Sequence, residues 1–242
     1  MPIHIIFFIL IYIFSTATFA KQSFKVVVGL SKPPYAIEEN NSGFELELIQ
    51  QILSNMNEIP EFVFIPYGRS EKMLEIPEID AVITVNKQIF PYNDNLSESY
   101  ITYQNVAISL KKNAITLNNI ADIAHYSIAS FQLSDKVLGE EFAKAVASSP
   151  MFIQVVNQQK QFELLLLGRV DVLVMDIKIF LYFFDKLDIT LEKSDIDFHK
   201  IFPLNPYRIA FKSNKKMKAF NQAMREYKAS KKYQELKAKY HF

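Results

Sequence analysis

The chain has 242 residues, half of them apolar, with a formal net charge of +1 and no cysteine. This length allows one large domain or two small lobes with well-filled cores. The near-neutral charge argues against nucleic acid as the main partner. The absence of cysteine excludes a thiol nucleophile, and a chain of this size does not need disulfides.

The number and spacing of the histidines argue against hydrolytic and zinc-dependent catalysis. The chain has four histidines, and His4 and His241 lie close to its ends. His125 and His199 are far apart and have no metal-ligand spacing, and no G-x-S-x-G nucleophile motif is present. We therefore expect neither hydrolytic nor zinc chemistry, and no cofactor.

The first twenty residues are typical of a secretory signal peptide. Residues 5–14 (IIFFILIYIF) are an uninterrupted apolar run, and Thr18 and Ala20 follow as an A-x-A-like cleavage site. The run is short for a bilayer span, which needs about 20 apolar residues. We expect residues 1–20 to be removed after Ala20 and the mature chain to reside in the periplasm. A retained membrane anchor is the alternative.

Strands and helices alternate in the first part of the chain. The predicted strands are residues 24–30, 61–66 and 79–85, and the predicted helices are residues 44–56 and 69–75. The first helix is amphipathic because Phe44, Leu48 and Ile52 recur four residues apart. Such alternation predicts βαβ units and a parallel sheet.

The alternation then repeats. The predicted strands are residues 106–110, 127–131, 152–156, 170–175 and 207–211, and the helices are residues 134–147, 159–167, 177–186 and the tail from 214. We therefore expect two α/β lobes, each a mainly parallel sheet flanked by helices and joined by a two-stranded hinge. Lobe 1 comprises residues 21–101 and 205–242, and lobe 2 comprises residues 102–204, with crossings near 100–104 and 202–206.

Polar and aromatic side chains follow the predicted strands. Open α/β sheets bind ligands at the carboxyl ends of their strands. The candidate ligand-binding residues at these ends are Ser31, Tyr35, Tyr67, Arg69, Asn86, Lys87, Phe131, Gln132, Ser134 and Asp176. Lys32 also follows the first strand. Each has an ordinary alternative: Asp176 and Ser134 could cap helices, and the cations could be solvated.

The C-terminal tail is rich in lysine. Phe220, Met224 and Tyr227 recur on one face of it, so the lysines suit the solvated face of a packed helix. We therefore expect membrane contact only through a partner protein.

Several segments together resemble the family 3 extracellular solute-binding proteins of bacteria, which include the polar amino-acid receptors of ABC transporters. They are GFELEL (43–48), the opening VVVGLSKPPYAI, NIADIAHYSIASF (119–131), GRVDVLVMD (168–176) and the closing KKYQELKAKY. The resemblance spans the mature chain. It implies the two-lobed type II periplasmic-binding-protein fold, with Asp176 holding a ligand amine.

The chain departs from the family at the residue that binds the ligand carboxylate. The amino-acid receptors carry an arginine about a dozen residues after an IDA-like acid, but here that position falls near Tyr92 and no arginine is present. The segment after SIASF also lacks the usual glycine. We expect Arg69, supported by Lys87, to replace the missing cation.

These observations predict a monomeric receptor that closes over a small polar, zwitterionic or anionic, amino-acid-like molecule without transforming it. Its partner would be an ABC transporter permease. One alternative is a prephenate- or arogenate-type dehydratase on the same scaffold. Another is a sensor or partner-binding module that works with a sensor kinase.

Overall fold

The computed structural model describes residues 22–91, 94–186 and 190–242. The predicted leader with its cleavage site, and Tyr92, lie outside the described residues. The strands are β1 (Phe24–Gly29), β2 (Pro60–Ile65), β3 (Ala81–Val85), β4 (Ile101–Tyr103), β5 (Asn105–Leu110), β6 (Ser127–Phe131), β7 (Met151–Val155), β8 (Val172–Asp176), β9 (Ile196–His199) and β10 (Asn205–Phe211). The α-helices are α1 (Phe44–Asn55), α2 (Ser134–Val137), α3 (Glu140–Ala147), α4 (Gln158–Leu166), α5 (Ile177–Lys186), α6 (Asn214–Lys228) and α7 (Lys231–Tyr240).

The strands form two five-stranded sheets with the same plan. The first has the order β2-β1-β3-β10-β4 and the second has the order β7-β6-β8-β5-β9. In each sheet the first three strands of this order run parallel to one another. The fourth strand pairs antiparallel with both the third and the fifth. We call the first sheet with its helices lobe 1, and the second sheet with its helices lobe 2. The prediction of two α/β lobes is confirmed.

The chain crosses between the lobes twice. It leaves the first sheet after β4, which ends at Tyr103, and enters β5 at Asn105, with one residue between the two strands. It returns in the segment between β9 and β10, and Asn205 pairs with Tyr103. The side-chain amide of Gln104 donates to the carbonyl oxygen of Phe202 at 3.1 Å, which ties the two crossing segments together. The residues at which the lobes move apart stay a prediction.

Both lobes bury large apolar side chains. In lobe 1, Leu48 and Ile52 of α1 and Phe220 of α6 are fully buried, as the helical spacing predicts. In lobe 2, Phe162 and Phe180 are fully buried, with ring centroids 5.0 Å apart. Burying one such side chain stabilises the fold by about 1.5–3 kcal/mol.

The helix predicted over 134–147 is two helices. Gly139 separates α2 from α3 with φ +91°, a left-handed conformation that glycine adopts at little cost. Ser134 is the first residue of α2 and its side chain makes no capping hydrogen bond, so its expected role as a cap is not observed. The short helix predicted over residues 69–75 is a 3-10 helix that spans Tyr67–Glu75.

Candidate ligand-binding site

A cavity lies between the lobes, where the carboxyl ends of the parallel strands face each other. It holds about 570 Å³ of empty space, including the part that opens to solvent. Lobe 1 contributes Gly29, Leu30, Lys32, Tyr67, Thr84, Tyr103 and Tyr207, and lobe 2 contributes Asn105, Phe131, Gln132, Val156, Gln158, Asp176 and Ile179. The strand-end rule thus places the cavity correctly, although it selects only part of the lining.

Aromatic rings form much of the cavity wall. Tyr67, Tyr103 and Tyr207 come from lobe 1 and Phe131 comes from lobe 2. Burial raises the pKa of all three tyrosines, so their hydroxyls are neutral near pH 7. The wall therefore offers aromatic rings, and none of these four residues adds charge.

Asp176 is the ionisable group that lobe 2 brings to the cavity. Its Oδ1 accepts the backbone N–H groups of Lys178 at 2.9 Å and Ile179 at 3.2 Å, which caps α5. Its Oδ2 accepts the backbone N–H of Gln104 at 2.8 Å. The cap alternative and the cavity position therefore both hold for this residue.

The charge on Asp176 is unbalanced. The residue is 2% exposed, and burial raises its pKa to about 6, although its hydrogen bonds act in the opposite direction. Its carboxylate forms no ion pair with any side chain of the described residues. At pH 7 the cavity therefore contains a buried negative charge without a counter-ion.

Tyr35 lies behind the cavity wall and reaches Asp176 from the other lobe. Its hydroxyl donates to Oδ1 of Asp176 at 3.1 Å, and its ring stacks on Tyr103 with centroids 3.8 Å apart. The Tyr35 carbonyl oxygen accepts the backbone N–H of Glu45 at 2.8 Å, at the start of α1. This close approach requires Gly43, because a Cβ there would lie 2.4 Å from the same carbonyl oxygen.

Lys32 is the cation of the cavity, and it is already paired. The residue is 6% exposed, and its Nζ lies 3.2 Å from Oε2 of Glu45, which is fully buried in the first turn of α1. Nζ also donates to Oγ1 of Thr84 at 2.8 Å. No other lysine or arginine among the described residues lines this cavity.

Glu45 is the centre of a buried polar network. Besides Lys32, it accepts hydrogen bonds from Oγ1 of Thr84 at 2.6 Å, from the hydroxyl of Tyr103 at 2.8 Å and from the hydroxyl of Tyr100. Burial raises the pKa of Tyr100 and Tyr103, and Glu45 raises it further, so both stay donors. The network fixes Lys32 against lobe 1.

Thr84 connects this network to the sheet in an unusual conformation. Its φ is +60°, which is a genuine outlier for a β-branched residue. Its backbone N–H donates to the Tyr100 hydroxyl at 2.9 Å, and its carbonyl oxygen accepts the Tyr67 hydroxyl at 2.7 Å. Strain of this kind is usually found at functional sites, and here it places Oγ1 between Lys32 and Glu45.

Two polar atoms of the lining are buried and have no hydrogen-bond partner among the residues that the structure describes. They are Nδ2 of Asn105, a donor, and Oε1 of Gln158, an acceptor. Unpaired buried polar atoms are uncommon and costly, and in a cavity they indicate groups that a ligand or water satisfies. Both belong to lobe 2, and Asn105 lies opposite Asp176 in the β5–β8 ladder.

The structure brings together some of the predicted site residues. Tyr67, Phe131, Gln132 and Asp176 line the cavity, and Tyr35 lies directly behind it. The other five do not line it: Ser31, Arg69, Asn86, Lys87 and Ser134. Their role in binding stays a prediction.

The five predicted residues that do not line the cavity lie in different environments. Ser31 accepts the backbone N–H of Glu38 at 2.9 Å. Arg69 is exposed, and Asn86 and Lys87 line a separate groove beside residues 202–206. Ser134 is fully buried, and its Oγ has no hydrogen-bond partner among the described residues. Of the cations, Lys32 lines the cavity, whereas the predicted Arg69 and Lys87 do not.

Sequence reasoning did not assign Lys32, Thr84, Asn105 or Gln158 to the ligand. Lys32 directly follows a strand, so the strand-end rule could have found it. Asn105 begins β5, an antiparallel strand to which the rule does not apply. Thr84 lies near the carboxyl end of β3 and Gln158 lies three residues after β7, so the strand-end rule could have found them as well.

The mouth of the cavity is bridged by contacts between the lobes. Oε1 of Gln132 accepts the backbone N–H of Gly68 at 3.2 Å, and Lys136 lies 3.4 Å from Glu71. The lobes are therefore closed over the cavity in this conformation.

Two further features are absent from the described part of the chain. No helix within it is long and apolar enough to cross a membrane. No group of three His, Cys, Asp or Glu side chains in these ranges is arranged to hold a metal ion.

Two lobes closing on a cavity with unsatisfied polar groups define a protein that binds a small molecule between its domains. The chain belongs to the bacterial extracellular solute-binding proteins, family 3, whose model matches residues 24–242. This confirms the family resemblance and the solute-binding function expected from the sequence. A comparison with curated proteins finds no match.

Solved structures of similar fold cover nearly the whole chain. An ancestral arginine-binding protein bound to arginine has a TM-score of 0.76 at 19% identity, covering 91% of this chain and 98% of its own. A histidine kinase sensor domain similar to periplasmic binding proteins has a TM-score of 0.77 at 15% identity, with coverages of 91% and 96%. An ABC uptake transporter substrate-binding protein from Streptococcus pneumoniae with bound histidine has a TM-score of 0.75 at 15% identity, with coverages of 90% and 92%. The fold is the two-lobed type II periplasmic-binding fold.

Proposed function

We propose that the protein captures a small polar, amine-bearing solute by closing its two lobes, and delivers it to an ABC transporter in the bacterial envelope. The observation that carries this proposal is the buried, unbalanced carboxylate of Asp176 in a cavity between the lobes. A protonated amine supplies the missing counter-ion, and the bond it forms is charge-assisted and shielded from water.

Neutral polar groups hold the rest of the solute. Oε1 of Gln158 accepts a second hydrogen from the amine, and Nδ2 of Asn105 donates to an oxygen of the solute. The surrounding rings supply contact area. A micromolar dissociation constant corresponds to about −8 kcal/mol, and hydrogen bonds to charged groups contribute about 1.5–3 kcal/mol each. The lining therefore suffices for such an affinity.

Closure follows from how the lining is divided between the lobes. Asp176, Asn105 and Gln158 belong to lobe 2, whereas most of the rings belong to lobe 1. A solute must contact both sets to gain its full binding energy, so it favours the closed state over the open one. Gln132 and Lys136 then seal the mouth against lobe 1.

The location and the partner are inferred from the family. Family 3 proteins are extracellular, and the apolar leader ending at Ala20 agrees with export to the periplasm. We expect the protein to act there as a monomer. An ABC permease suits a binding protein that must release its solute. The sensor-domain neighbour keeps a sensor kinase as a second candidate partner, and capture from membrane extracts separates the two.

We propose that the protein does not transform its solute. A dehydratase needs a general acid, and Asp176, with a pKa of about 6, is the cavity group suited to that role. No histidine among the described residues lines the cavity to assist it. Incubation with prephenate, followed by absorbance, tests this point, and turnover would contradict it.

Calorimetry on one variant pair tests solute capture. A panel of amines, amino acids, carboxylates and sugars is first screened by thermal shift on the mature chain. Asp176→Ala should then lose most of the affinity for the best compound. Asp185→Ala is the matched control, because Asp185 is an exposed lobe 2 carboxylate paired with Lys193. Equal affinity of the two variants would remove Asp176 from the site.

A further inference from the structure

We propose that the solute is a small organic monocation, an amine without a carboxylate group. This inference rests on the proposed function, because it concerns the same cavity. It narrows the solute class expected from the sequence, which included zwitterions and anions. It follows from the charges that the described residues place around the cavity and from how each is already paired.

The formal charges around the cavity sum to −1. Lys32 and Asp176 line it, and Glu45 contacts Lys32 from behind. Lys32 and Glu45 cancel because their charged atoms are 3.2 Å apart and both side chains are buried. Asp176 is left over. A solute of charge +1 therefore closes the cavity with balanced charge, whereas a zwitterion leaves one carboxylate uncompensated.

Lys32 is poorly placed to hold a solute carboxylate. Its Nζ donates to Thr84 and lies 3.2 Å from Oε2 of Glu45. A solute carboxylate on the same Nζ would lie close to the buried carboxylate of Glu45, and like charges repel strongly where water is excluded. The exposed Arg69 and Lys87 do not line the cavity, so they do not relieve this repulsion.

The uncharged lining also suits a cation. The rings of Tyr67, Tyr103, Tyr207 and Phe131 line the cavity, and aromatic rings attract ammonium groups. Oε1 of Gln158 is an unpaired acceptor for an ammonium hydrogen, and Nδ2 of Asn105 is an unpaired donor that a hydroxyl or carbonyl oxygen of the solute satisfies.

Matched pairs of compounds that differ by one carboxylate test the proposal. Calorimetry at pH 7.5 compares ethanolamine with serine, isobutylamine with valine, tyramine with tyrosine and histamine with histidine. In the pair that binds best, we expect the amine to bind at least about tenfold more tightly than the amino acid. An amino acid that binds as tightly as its amine, or more tightly, overturns the proposal.

Failure of this inference is distinguishable from failure of solute capture. If no amine binds but an amino acid, a carboxylate or a sugar from the wider panel does, the solute class is wrong and capture stands. If no compound of either panel binds, both are contradicted.

Two variants at the Lys32–Glu45 pair test the charge argument itself. Glu45→Gln raises the cavity charge from −1 to 0, and should shift the ratio of amine to amino-acid affinity about tenfold toward the amino acid. The double variant Lys32→Gln with Glu45→Gln keeps the charge at −1 and should keep the preference for the amine. Circular dichroism confirms folding. If Glu45→Gln does not fold, the double variant decides alone, because loss of the preference for the amine in it overturns the proposal.

Discussion

The hydroxyl of Tyr35 in lobe 1 donates to Oδ1 of Asp176 in lobe 2, with 3.1 Å between the two oxygens. The residues are 141 positions apart in the chain. Because the ring of Tyr35 stacks on Tyr103, this one hydrogen bond joins the aromatic wall of lobe 1 to the carboxylate of lobe 2. The closed state is therefore stabilised by a residue that does not line the cavity.

Tyr35→Phe should weaken closure without disturbing the ring stack. The variant loses one hydrogen bond to a charged group, worth about 1.5–3 kcal/mol, which the open state does not make. We expect a larger radius of gyration without solute in small-angle X-ray scattering, and weaker solute binding by calorimetry. Tyr126→Phe is the control, because Tyr126 lies in lobe 2 away from the cavity. Identical scattering of the two variants would contradict the role of Tyr35.

Asp176 should make the unbound protein less stable as pH rises. Its pKa is about 6 in the folded chain against 3.8 for an unperturbed aspartate carboxyl, so the folded state holds the extra proton between these values. The contribution of Asp176 to stability therefore falls as pH rises from about 3 to about 7, mostly between pH 4 and pH 6, by roughly 3 kcal/mol in total, and is constant above that range. Urea unfolding at pH 4, 5, 6 and 7.5 measures this contribution.

Asp176→Asn isolates the contribution of this carboxyl. The variant keeps an acceptor for the N–H groups of α5 and cannot ionise. Its stability curve, subtracted from that of the wild type, should show the fall between pH 4 and pH 6. A flat difference would show that the pKa of Asp176 is not raised in the folded chain.

Binding of a cationic solute should depend on the same proton. The solute needs the ionised form of Asp176, which is mostly protonated at pH 5 and mostly ionised at pH 7. We expect affinity to fall about tenfold between pH 7 and pH 5. Calorimetry in two buffers of different ionisation enthalpy also reports the proton released on binding. A pH-independent affinity with no proton release would contradict this linkage.

The sequence predicts most of the architecture because hydrophobic periodicity determines which segments are strands and helices. It misses β4 and β9, which have three and four residues and lie at sheet edges. Such short strands carry too few alternating positions to show a period. Gly139 could have indicated the break in the helix predicted over 134–147, because helices commonly end at a glycine.

The site is harder to predict than the fold. Asp176, Tyr67 and Gln132 end or follow parallel strands, so one geometric rule finds them. The rule does not distinguish Lys32 from Arg69, since both follow strands. What separates them is the partner in space: Glu45 lies on α1, and its contact with Lys32 depends on how that helix packs on the sheet. Packing of this kind is not visible in sequence order.

The effects of substitutions at Lys32 and Glu45 on the free energy of unfolding should be strongly coupled. Glu45→Leu alone leaves a buried ammonium unpaired, and Lys32→Met alone leaves a buried carboxylate unpaired, so each single change should cost about 3–5 kcal/mol. Lys32→Met combined with Glu45→Leu removes both charges, so it should cost much less than the sum of the single changes. A double-mutant cycle by urea unfolding measures this coupling. The exposed pair Lys160–Glu163 is the control, with an expected coupling below about 1 kcal/mol. Additive effects at Lys32 and Glu45 would contradict the buried-pair geometry.

Lys178 should stabilise the closed state through contacts that lie outside the cavity. Its Nζ donates to the carbonyl oxygen of His241 at 2.8 Å and lies 4.3 Å from the ring centroid of Phe242, which itself stacks on Phe44. These contacts join α5 of lobe 2 to the end of lobe 1, so they exist only while the lobes are together. Lys178→Ala should therefore shift the unbound protein toward the open state.

The expected signature of Lys178→Ala is uniform across solutes. Because Lys178 does not line the cavity, the variant changes only the population of the binding-competent state, and every dissociation constant should rise by the same factor. A loss of about 1 kcal/mol corresponds to about fivefold. Lys144→Ala is the control, because Lys144 pairs with Glu140 within α3. A different factor for each solute would instead place Lys178 in direct contact with the ligand.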